Sequence, residues 1–199
     1  MFRLFIEAYL GGTGSISAHL LKGKKTLDIG CGTGDFLRYD TKNFVGVDVN
    51  AEAIAIAKSR GLNVVKGNAT KLPFGNNHFE GVHCRQVIEH LGPNEAYNML
   101  KEVHRVLKPG GLAILATEMP TNVFWNTFSH IRPYPPAAIR KITGKAGQET
   151  FEKIEGLKEI GVYYTGPTFN SKWLTILSNL FANYLWINRR NYLMLLTKE

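Results

Sequence analysis

Three glycines at alternate positions follow a short apolar run near the start of the chain. The run comprises residues 26–29, and the glycines are Gly30, Gly32 and Gly34. Glycine has no Cβ, so such a loop can turn sharply and bring its backbone close to a ligand. Residues 35–38 are typical of the first turn of a helix, which places the glycines at a strand-to-helix turn. Doubly wound α/β folds bind nucleotides at turns of this kind.

The spacing of the glycines separates two kinds of nucleotide ligand. A dinucleotide fingerprint needs glycine at its first, third and sixth positions, and here the sixth position is Asp35. A pyrophosphate on the helix N-terminus would meet that carboxylate, and like charges repel strongly in a partly dry site. A cationic ligand would not be repelled. The loop therefore disfavours a nicotinamide oxidoreductase and favours a positively charged ligand.

The pattern Asp28-x-Gly30-x-Gly32-x-Gly34 resembles the cofactor loop of the class I S-adenosylmethionine-dependent methyltransferases. Their cofactor carries a sulfonium and an ammonium group and no phosphate. The resemblance implies S-adenosyl-L-methionine as cofactor and S-adenosyl-L-homocysteine as product. It also implies cofactor contacts from Asp28, Gly30, Cys31, Gly32 and Gly34. For Cys31, a small side chain that fits the loop is a better interpretation than a reactive thiol.

A second apolar run, residues 43–48, ends in Asp48, which lies 20 residues after Asp28. An acid at the end of the second strand can bind the hydroxyls of a ribose. In the family this position holds both ribose oxygens, which implies that Asp48 is the ribose ligand and that Val49 contacts the adenine. An ordinary aspartate at a helix entry is the alternative, but a glycine loop and an acid at this spacing together favour the cofactor.

Polar residues also follow the third and fourth predicted strands. Asn68 and Ala69 come after the strand at residues 62–66. In the family an Asp or Asn at this point bonds the adenine amino group, and the amide oxygen of Asn68 can accept that bond. A turn asparagine is the alternative. In the family, residues after the fourth strand close the pocket around the methionine part of the cofactor, and the resemblance implies such a contact from Gln86.

The pair Glu89-His90 is the second chemically distinctive cluster of the chain. Histidine titrates near neutral pH, so His90 is a candidate for acid or base catalysis, and so is His130 further along the chain. A hydrogen-bonding role at a helix entry is the alternative for the pair.

The same cluster raises the question of a metal ion. Metal-dependent methyltransferases of small RNAs and of quinone precursors resemble this stretch and carry Glu-x-x-Glu-His as ligands. Here the first position is Gln86, and a neutral amide is a poor ligand beside a carboxylate. A site would rest on Glu89, His90 and His130, and the sequence alone favours a site without metal.

The order of the predicted elements gives an α/β fold. Strands are predicted at residues 26–29, 43–48, 62–66, 81–84, 112–117, 162–164 and 192–197. Helices are predicted at residues 2–10, 16–21, 51–59, 94–107, 136–141 and 173–187. The resemblance covers residues 20–118 and implies a doubly wound, mostly parallel seven-stranded sheet with an antiparallel last strand. We expect a single domain over residues 1–199, with cap helices in 1–25, a cofactor-binding core in 26–118 and a substrate-side lid with the final strands in 119–199.

Residues 124–134 are expected to fold over the open side of the sheet and to form, with residues 1–10, a lid that faces the transferable methyl group. Aromatic rings exclude water and surround a sulfonium favourably, while cationic and imidazole groups can donate to the acceptor. The candidates for acceptor binding are Trp125, His130, Arg132 and Tyr134. The alternative is that the aromatic side chains pack under the sheet edge.

Composition indicates the size of the core, the redox compartment and whether a membrane span is present. A chain of 199 residues that is 44% hydrophobic can bury a full core. Two cysteines, Cys31 and Cys84, give no disulfide framework and favour a reducing compartment, hence a cytoplasmic protein. No signal-peptide pattern is seen. The apolar residues 173–187 are too few to span a bilayer, so they are predicted to form either a core helix or a dimer helix. The protein is accordingly expected to be a monomer or a homodimer.

The formal net charge is +8, but the basic residues are scattered and form no long run. Solvated surface is therefore favoured over a nucleic-acid interface, and the charge is compatible with an anionic acceptor. The sequence predicts a methyltransferase for a small molecule or for a glycan- or lipid-type acceptor, acting by in-line attack on the sulfonium methyl. An RNA methyltransferase and a non-catalytic cofactor-binding partner subunit are the alternatives.

Overall fold

The computed structural model describes residues 12–144, 151–166, 172–185 and 189–199. The helix predicted within residues 1–10, and with it half of the predicted lid, lies outside the described residues. The strands are β1 (Thr26–Ile29), β2 (Phe44–Asp48), β3 (Val64–Lys66), β4 (Phe79–Arg85), β5 (Leu107–Glu118), β6 (Leu157–Thr165) and β7 (Asn191–Lys198). Within this part of the chain they form one sheet of seven strands, in the order β3-β2-β1-β4-β5-β7-β6.

The sheet is parallel except at one edge. Strands β1 to β5 pair in parallel, whereas β7 runs antiparallel to both of its neighbours, β5 and β6. The predicted fold class is therefore confirmed. The chain order reverses between β1 and β4, and ligands of doubly wound sheets bind at such a reversal, outside the carboxyl ends of the strands.

The helices among the described residues are α1 (Gly12–Leu21), α2 (Ala51–Ser59), α3 (Pro93–Val106), α4 (Pro136–Thr143) and α5 (Lys172–Tyr184). Asn50 caps α2, because its Oδ1 accepts the N–H groups of Glu52 at 2.9 Å and of Ala53 at 3.2 Å. Helix α3 begins at Pro93, where the missing N–H costs nothing in a first helical turn. These starts fix where the chain leaves the ends of β2 and β4.

Helices cover both faces of the sheet. Alternate residues of a strand point to opposite faces, so β5 gives Ala113 and Leu115 to one core cluster and Ile114 and Ala116 to the other. The first cluster includes Met99, Leu100 and Val103 of α3. The second includes Leu21 of α1 with Ile54 and Ala57 of α2. Each large side chain buried in this way stabilises the fold by about 1.5–3 kcal/mol.

The helix predicted directly after the glycine loop is wrong. The chain forms a single 3-10 turn there, Leu37–Tyr39. The Phe36 ring stacks on the ring of His83 with centroids 3.7 Å apart, and on that of Phe44 with centroids 5.1 Å apart. This buried aromatic contact turns the chain directly into β2. The loop therefore ends in an aromatic anchor and not at the N-terminus of a helix.

Helix α5 presents its apolar side chains to solvent. Trp173 is 77% exposed, and the exposed set also includes Leu174, Leu177, Leu180 and Phe181. Its buried residues are largely polar, and the buried Asn179 accepts the Gly166 N–H through its Oδ1 at 2.9 Å. The prediction of a core helix is wrong in this respect, and contact with a second copy of the chain stays a prediction. Within the described residues, no helix is both long enough and apolar enough to cross a bilayer.

Candidate cofactor and acceptor site

A cavity of about 280 Å³ opens at the carboxyl ends of β1 to β4. Among its lining residues, those predicted from the sequence are Gly30, Asp48, Val49, Asn68, Ala69, Gln86 and His90. The lining residues that sequence reasoning missed are Ile29, Val47, Gly67, Val87 and Leu91. Within the described part of the chain, no Lys or Arg lines this cavity. A phosphate ligand would need such cations or the backbone N–H groups of a helix N-terminus, and the glycine loop leads into a 3-10 turn instead, so the cavity suits a cationic or neutral ligand better.

Asp48 joins the end of β2 to the glycine loop. Its Oδ2 accepts the N–H of Gly32 at 2.8 Å, and its Oδ1 accepts the N–H of Asn50 at 2.8 Å. A carboxylate oxygen can accept more than one hydrogen bond, so both oxygens keep capacity for a ribose hydroxyl. Asp48 thus combines a place in the cavity wall with a structural role that the spacing of the sequence did not reveal.

The glycines of the loop serve packing more than ligand approach. Gly30 has a φ of +71°, and a Cβ added there would lie 2.3 Å from Cγ2 of Val87. A Cβ at Gly34 would lie 2.3 Å from Cδ1 of Leu62. Gly32 has a φ of +53°, but an added Cβ would meet no atom within 4 Å among the described residues. Two of the three glycines are therefore required by neighbouring side chains of the protein itself.

Asp28 lies beneath the loop and not in the cavity wall. Its carboxylate is 2.7 Å from Nδ1 of His83, and the two residues are 3% and 1% exposed. The predicted direct contact between Asp28 and the cofactor is therefore not supported, because the side chain is buried and already bonded. Sequence reasoning also missed His83. The register could have identified it, since Asp28 and His83 are partners on the adjacent strands β1 and β4.

Cys31 is buried in the loop as a small packing residue. Burial, together with the nearby carboxylates of Asp28 and Asp48, raises the pKa of Cys31 to about 12. The thiol is therefore protonated at neutral pH, which agrees with the unreactive interpretation. The same two carboxylates make the floor of the loop electronegative, and this favours a cationic ligand.

Asn68 lies in the cavity wall with its amide oxygen already engaged. Oδ1 accepts the backbone N–H of Thr70 at 2.9 Å and the Thr70 hydroxyl at 3.0 Å. The predicted bond from the adenine amino group to this oxygen therefore has two competitors. The amide NH₂ is the remaining group, and it can donate to a ring nitrogen.

Gln86 has an unusual backbone conformation at the end of β4. Its φ is +54°, which non-glycine residues rarely adopt, and its N–H donates to the carbonyl of Ala116 at 2.8 Å. Strained residues of this kind occur often at functional sites. The turn at Gln86 carries the chain from β4 into the Val87 to Leu91 side of the cavity.

Asp35 does not act as the sequence argument assumed. Its side chain is 74% exposed and lies 3.4 Å from the Arg60 guanidinium. The carboxylate is therefore solvated and paired, so its repulsion of a pyrophosphate would be weak. A dinucleotide is disfavoured instead because no cationic side chain is found among the described lining residues of the cavity.

Two backbone contacts bring His130 beside the Glu89-His90 pair. The N–H of Ile131 donates to the carbonyl of Glu89 at 2.9 Å, and Nδ1 of His90 donates to the carbonyl of Ser129 at 2.9 Å. Nδ1 of His130 donates to the carbonyl of Phe124 at 2.9 Å. The two imidazole centroids are 5.0 Å apart. The two catalytic candidates are therefore neighbours, although 40 positions separate them in the sequence.

Glu89 is fully buried beneath the two imidazoles. Neither carboxylate oxygen has a hydrogen-bond partner among the described residues. Burial raises the pKa of Glu89; its own backbone N–H, the Thr117 hydroxyl and the two histidines lie near enough to oppose this to a smaller extent, although neither the N–H nor the hydroxyl meets the geometry of a hydrogen bond to the carboxylate. A buried carboxylate without partners is costly, so its presence at this position needs an explanation.

The remaining acceptor candidates divide into two groups. Trp125 is 61% exposed and Phe128 is fully exposed, so neither packs under the sheet edge, and neither lines the cofactor cavity. Arg132 and Tyr134 line a second cavity of about 290 Å³, whose other walls come from α3, α4 and Phe151. The Tyr134 hydroxyl donates to the carbonyl of Leu91 at 2.9 Å, and Leu91 lines the cofactor cavity. Tyr134 therefore links the two cavities.

Comparison with known proteins agrees with this geometry. A family model described as a methyltransferase domain matches residues 27–115. An uncharacterized methyltransferase of Synechocystis sp. is 35% identical over 127 residues, which are 59% of this chain and 54% of that protein. A demethylmenaquinone methyltransferase of Staphylococcus aureus is 30% identical over 186 residues, which are 85% of this chain and 70% of that protein. The chain thus spans about half to two thirds of the length of these relatives.

A solved structure shows the same fold. A SAM-dependent methyltransferase from Archaeoglobus fulgidus superposes with a TM-score of 0.66 at 21% identity, and each of the two chains is covered to 100%. The sheet order, the glycine loop and the acid at the end of β2 define a doubly wound, nucleoside-binding protein. The chain belongs to the class I S-adenosylmethionine-dependent methyltransferases, and S-adenosyl-L-methionine is its cofactor.

Proposed function

We propose that this chain transfers the methyl group of S-adenosyl-L-methionine to a small-molecule acceptor of the quinol or phenol type. The cavity at the ends of β1 to β4 carries this proposal, because it combines the Asp48 carboxylate with apolar walls and has no described Lys or Arg in its lining. Such a cavity accommodates a nucleoside with a sulfonium and excludes a diphosphate.

Both polar and apolar residues of the cavity wall have a proposed part in binding the cofactor. Asp48 accepts the ribose hydroxyls while it keeps the glycine loop in place. Val49 and Ala69 cover the adenine ring, and the amide NH₂ of Asn68 donates to it. Gln86 closes the end of the cavity near the methionine part. These contacts orient the cofactor and exclude water from its charged sulfur.

The acceptor is proposed to approach from the side of His90. S-adenosyl-L-methionine supplies an already activated methyl carbon, so the protein mainly has to align the acceptor's nucleophilic atom with the carbon–sulfur bond. The acceptor loses a proton as the new bond forms. His90, in the cavity wall, and His130, beside it, are the polar groups available to hold the acceptor oxygen or to receive that proton.

Two observations support a ring-shaped, largely apolar acceptor. Relatives that align with most of this chain are named demethylmenaquinone methyltransferase. The second cavity, which Tyr134 links to the first, is lined mainly by apolar side chains of α3 and α4 and has Arg132 in its wall. An acceptor with an apolar body and one oxygenated or anionic end fits these surroundings.

The test has two steps. Calorimetry should show saturable binding of S-adenosyl-L-homocysteine and none of NAD. Labelled S-adenosyl-L-methionine should then label a reduced naphthoquinol or a phenolic acid, and not RNA or a glycan. Binding of NAD alone would overturn the cofactor cavity, and labelling of RNA would overturn the acceptor class. Binding without any labelling would favour a cofactor-binding partner subunit.

A further inference from the structure

We propose that Glu89, His90 and His130 form a binding site for one divalent transition-metal ion at the wall of the cofactor cavity. One ligand atom from each of the three residues lies within 4.8 Å of the ligand atoms of the other two. Adjacent ligands of a filled site are separated by about 3–3.5 Å when each bond is about 2.1 Å long. Side-chain rotation would have to bring the three ligand atoms from their separations of up to 4.8 Å to the spacing of about 3–3.5 Å in a filled site.

The hydrogen bonds of the two histidines prepare both rings for metal binding. In each ring Nδ1 donates to a backbone carbonyl at 2.9 Å, that of Ser129 for His90 and that of Phe124 for His130. A neutral imidazole that donates through Nδ1 carries its lone pair on Nε2. Histidines that ligate metals almost always donate their other nitrogen to a carbonyl or a carboxylate. Both rings of this site meet that condition.

The carboxylate of Glu89 provides an independent observation. Glu89 is fully buried, and both of its oxygens lack hydrogen-bond partners among the described residues. A buried carboxylate is normally paired with a cation or with several donors. Most buried acids that have only a packing role acquire such partners from the backbone. A bound cation would supply the missing partner at this position.

The donor set indicates the class of ion. Two imidazoles and one carboxylate suit Zn²⁺, Co²⁺, Mn²⁺ or Fe²⁺, whereas Mg²⁺ and Ca²⁺ prefer sites made of oxygen alone. Three protein ligands leave one or more coordination positions open. His90 lies in the wall of the cofactor cavity, so an open position can face that cavity. An ion would then hold an oxygen of the acceptor, a role that rests on the proposed function.

The sequence alone favoured a site without metal, because Gln86 stands where related metal sites have a carboxylate. The structure changes the balance because its third ligand comes from elsewhere, namely from His130 in the segment after β5. Gln86 is not needed for a set of three. The two histidines would then act on the acceptor through the ion and not as free bases.

Metal binding to the apoprotein tests the site directly. The full chain, stripped with a chelator, is titrated with Co²⁺ and Zn²⁺, without cofactor or acceptor, and followed by the visible absorption of Co²⁺ and by competition with a chromophoric chelator. We expect binding of one ion per chain, and no saturable binding of Mg²⁺ in the same range. Metal binding is measured without methyl transfer. The titration therefore tests the metal site even if the chain does not methylate a quinol or phenol.

The variants are chosen to remove one ligand each and to keep the local bonds. His90→Asn and His130→Asn keep a donor near the position of Nδ1 and remove Nε2, and Glu89→Gln keeps the shape of the side chain. Each should weaken Co²⁺ binding at least about tenfold. His19→Asn, at an exposed position on α1, is the matched control and should bind as the unmodified protein does.

Three results would overturn the proposal. They are the absence of stoichiometric binding, equal binding of Mg²⁺, and equal affinity of the ligand variants and the His19→Asn control. Circular dichroism and thermal unfolding report whether each variant is folded. If Glu89→Gln does not fold, the two histidine variants decide the question.

Discussion

Two edges of the same cavity are built in different ways. The cofactor edge, made of residues 30–34 with Asp48 and Asn68, comes from strand ends that the sheet order brings together. The histidine edge, made of Glu89, His90 and residues 124–132, borders the cavity through His90 and comes from two segments joined by hydrogen bonds across about 40 positions. The first is encoded in local spacing and the second in long-range contacts. The first is therefore visible as a motif in the sequence, whereas the second is seen only in the structure.

The carboxylates of the two edges also differ in their hydrogen-bond partners. Asp48 is hydrogen-bonded through both oxygens to backbone N–H groups, so its charge is stabilised before any ligand arrives. Glu89 is buried without hydrogen-bond partners among the described residues. A stabilised charge can serve as a rigid ligand, whereas an unpartnered one depends on a cation or a proton for its stability.

The largest effect is expected at Asp48. Asp48→Asn replaces one accepting oxygen by an NH₂ group, which then faces the backbone N–H of either Gly32 or Asn50 and leaves only one oxygen to accept from the ribose hydroxyls. We expect S-adenosyl-L-homocysteine to bind at least about 100-fold more weakly by calorimetry, which is about 2.7 kcal/mol. Asp35→Asn, an exposed acid of the same loop, should change affinity by less than about twofold.

Unchanged affinity of Asp48→Asn would remove this residue from the cofactor edge. A loss of affinity in Asp48→Asn together with an equal loss in Asp35→Asn would show a general effect of negative charge. Thermal unfolding of both variants separates loss of the ribose contact from loss of the loop, because the bond to Gly32 contributes to both.

A pair of glycine substitutions separates packing from backbone strain. Gly30→Ala combines a positive φ with a Cβ 2.3 Å from Val87, whereas Gly32→Ala has a positive φ without a collision. We expect Gly32→Ala to lower the free energy of unfolding by about 1 kcal/mol and Gly30→Ala by about 2–4 kcal/mol. Urea unfolding of both variants measures the difference. Equal losses would mean that the Val87 side chain can move to accommodate the added Cβ.

The cofactor edge could largely be predicted from the sequence. The glycine spacing, the acid 20 residues after Asp28 and the cap at Asn50 are local signals, and each corresponds to an observed feature. At this edge, the prediction of the helix after the loop was wrong, and some of the predicted side-chain contacts are not supported. The helix after the loop became a 3-10 turn because Phe36 packs against His83, a contact between positions that no periodicity connects.

The histidine edge could be predicted only as a set of candidates. His90 and His130 were identified by residue type, but their proximity depends on the bond between Ile131 and Glu89. That bond joins an irregular segment to a short turn, and neither has a repeating pattern. The exposure of Trp125 was missed for the same reason, since aromatic content alone does not tell on which side a loop lies.

The next largest effect, on the free energy of unfolding, is expected at the hydrogen-bond network that holds the chain after Asn68. Glu102 on α3 accepts the Leu72 N–H at 2.6 Å and bonds Arg105, which in turn donates to the carbonyls of Leu72 at 3.1 Å and Phe74 at 2.8 Å. This network fixes the chain that follows Asn68. Glu102→Gln should lower the free energy of unfolding at pH 7 by about 1–2 kcal/mol.

The pH dependence of that loss has a definite sign. Hydrogen bonds from Arg105 lower the pKa of Glu102 in the folded protein. The stabilisation is therefore complete above the unfolded pKa of about 4.3 and disappears as the pH falls through the lower folded pKa. The difference between the protein and Glu102→Gln should be constant near neutral pH and shrink below about pH 4. Glu155→Gln, whose side chain is 80% exposed, should show almost no difference at any pH.

The smallest effect is expected at Arg132, which tests whether the histidine edge extends into the second cavity. Its guanidinium lies 5.6 Å from the centroid of the Tyr134 ring, and both residues line that cavity. Arg132→Gln removes a charge that is exposed, so the acceptor KM should rise by only about 3–10-fold, which is about 0.7–1.4 kcal/mol. The cofactor affinity should stay within about threefold, because Arg132 is not in the lining of the cofactor cavity. Arg38→Gln, at an exposed position in the 3-10 turn after the glycine loop, is the control for net charge. If both arginine variants raise KM equally, the acceptor senses only the overall charge. If neither does, the second cavity is not part of the acceptor path, and the histidine edge ends at His130.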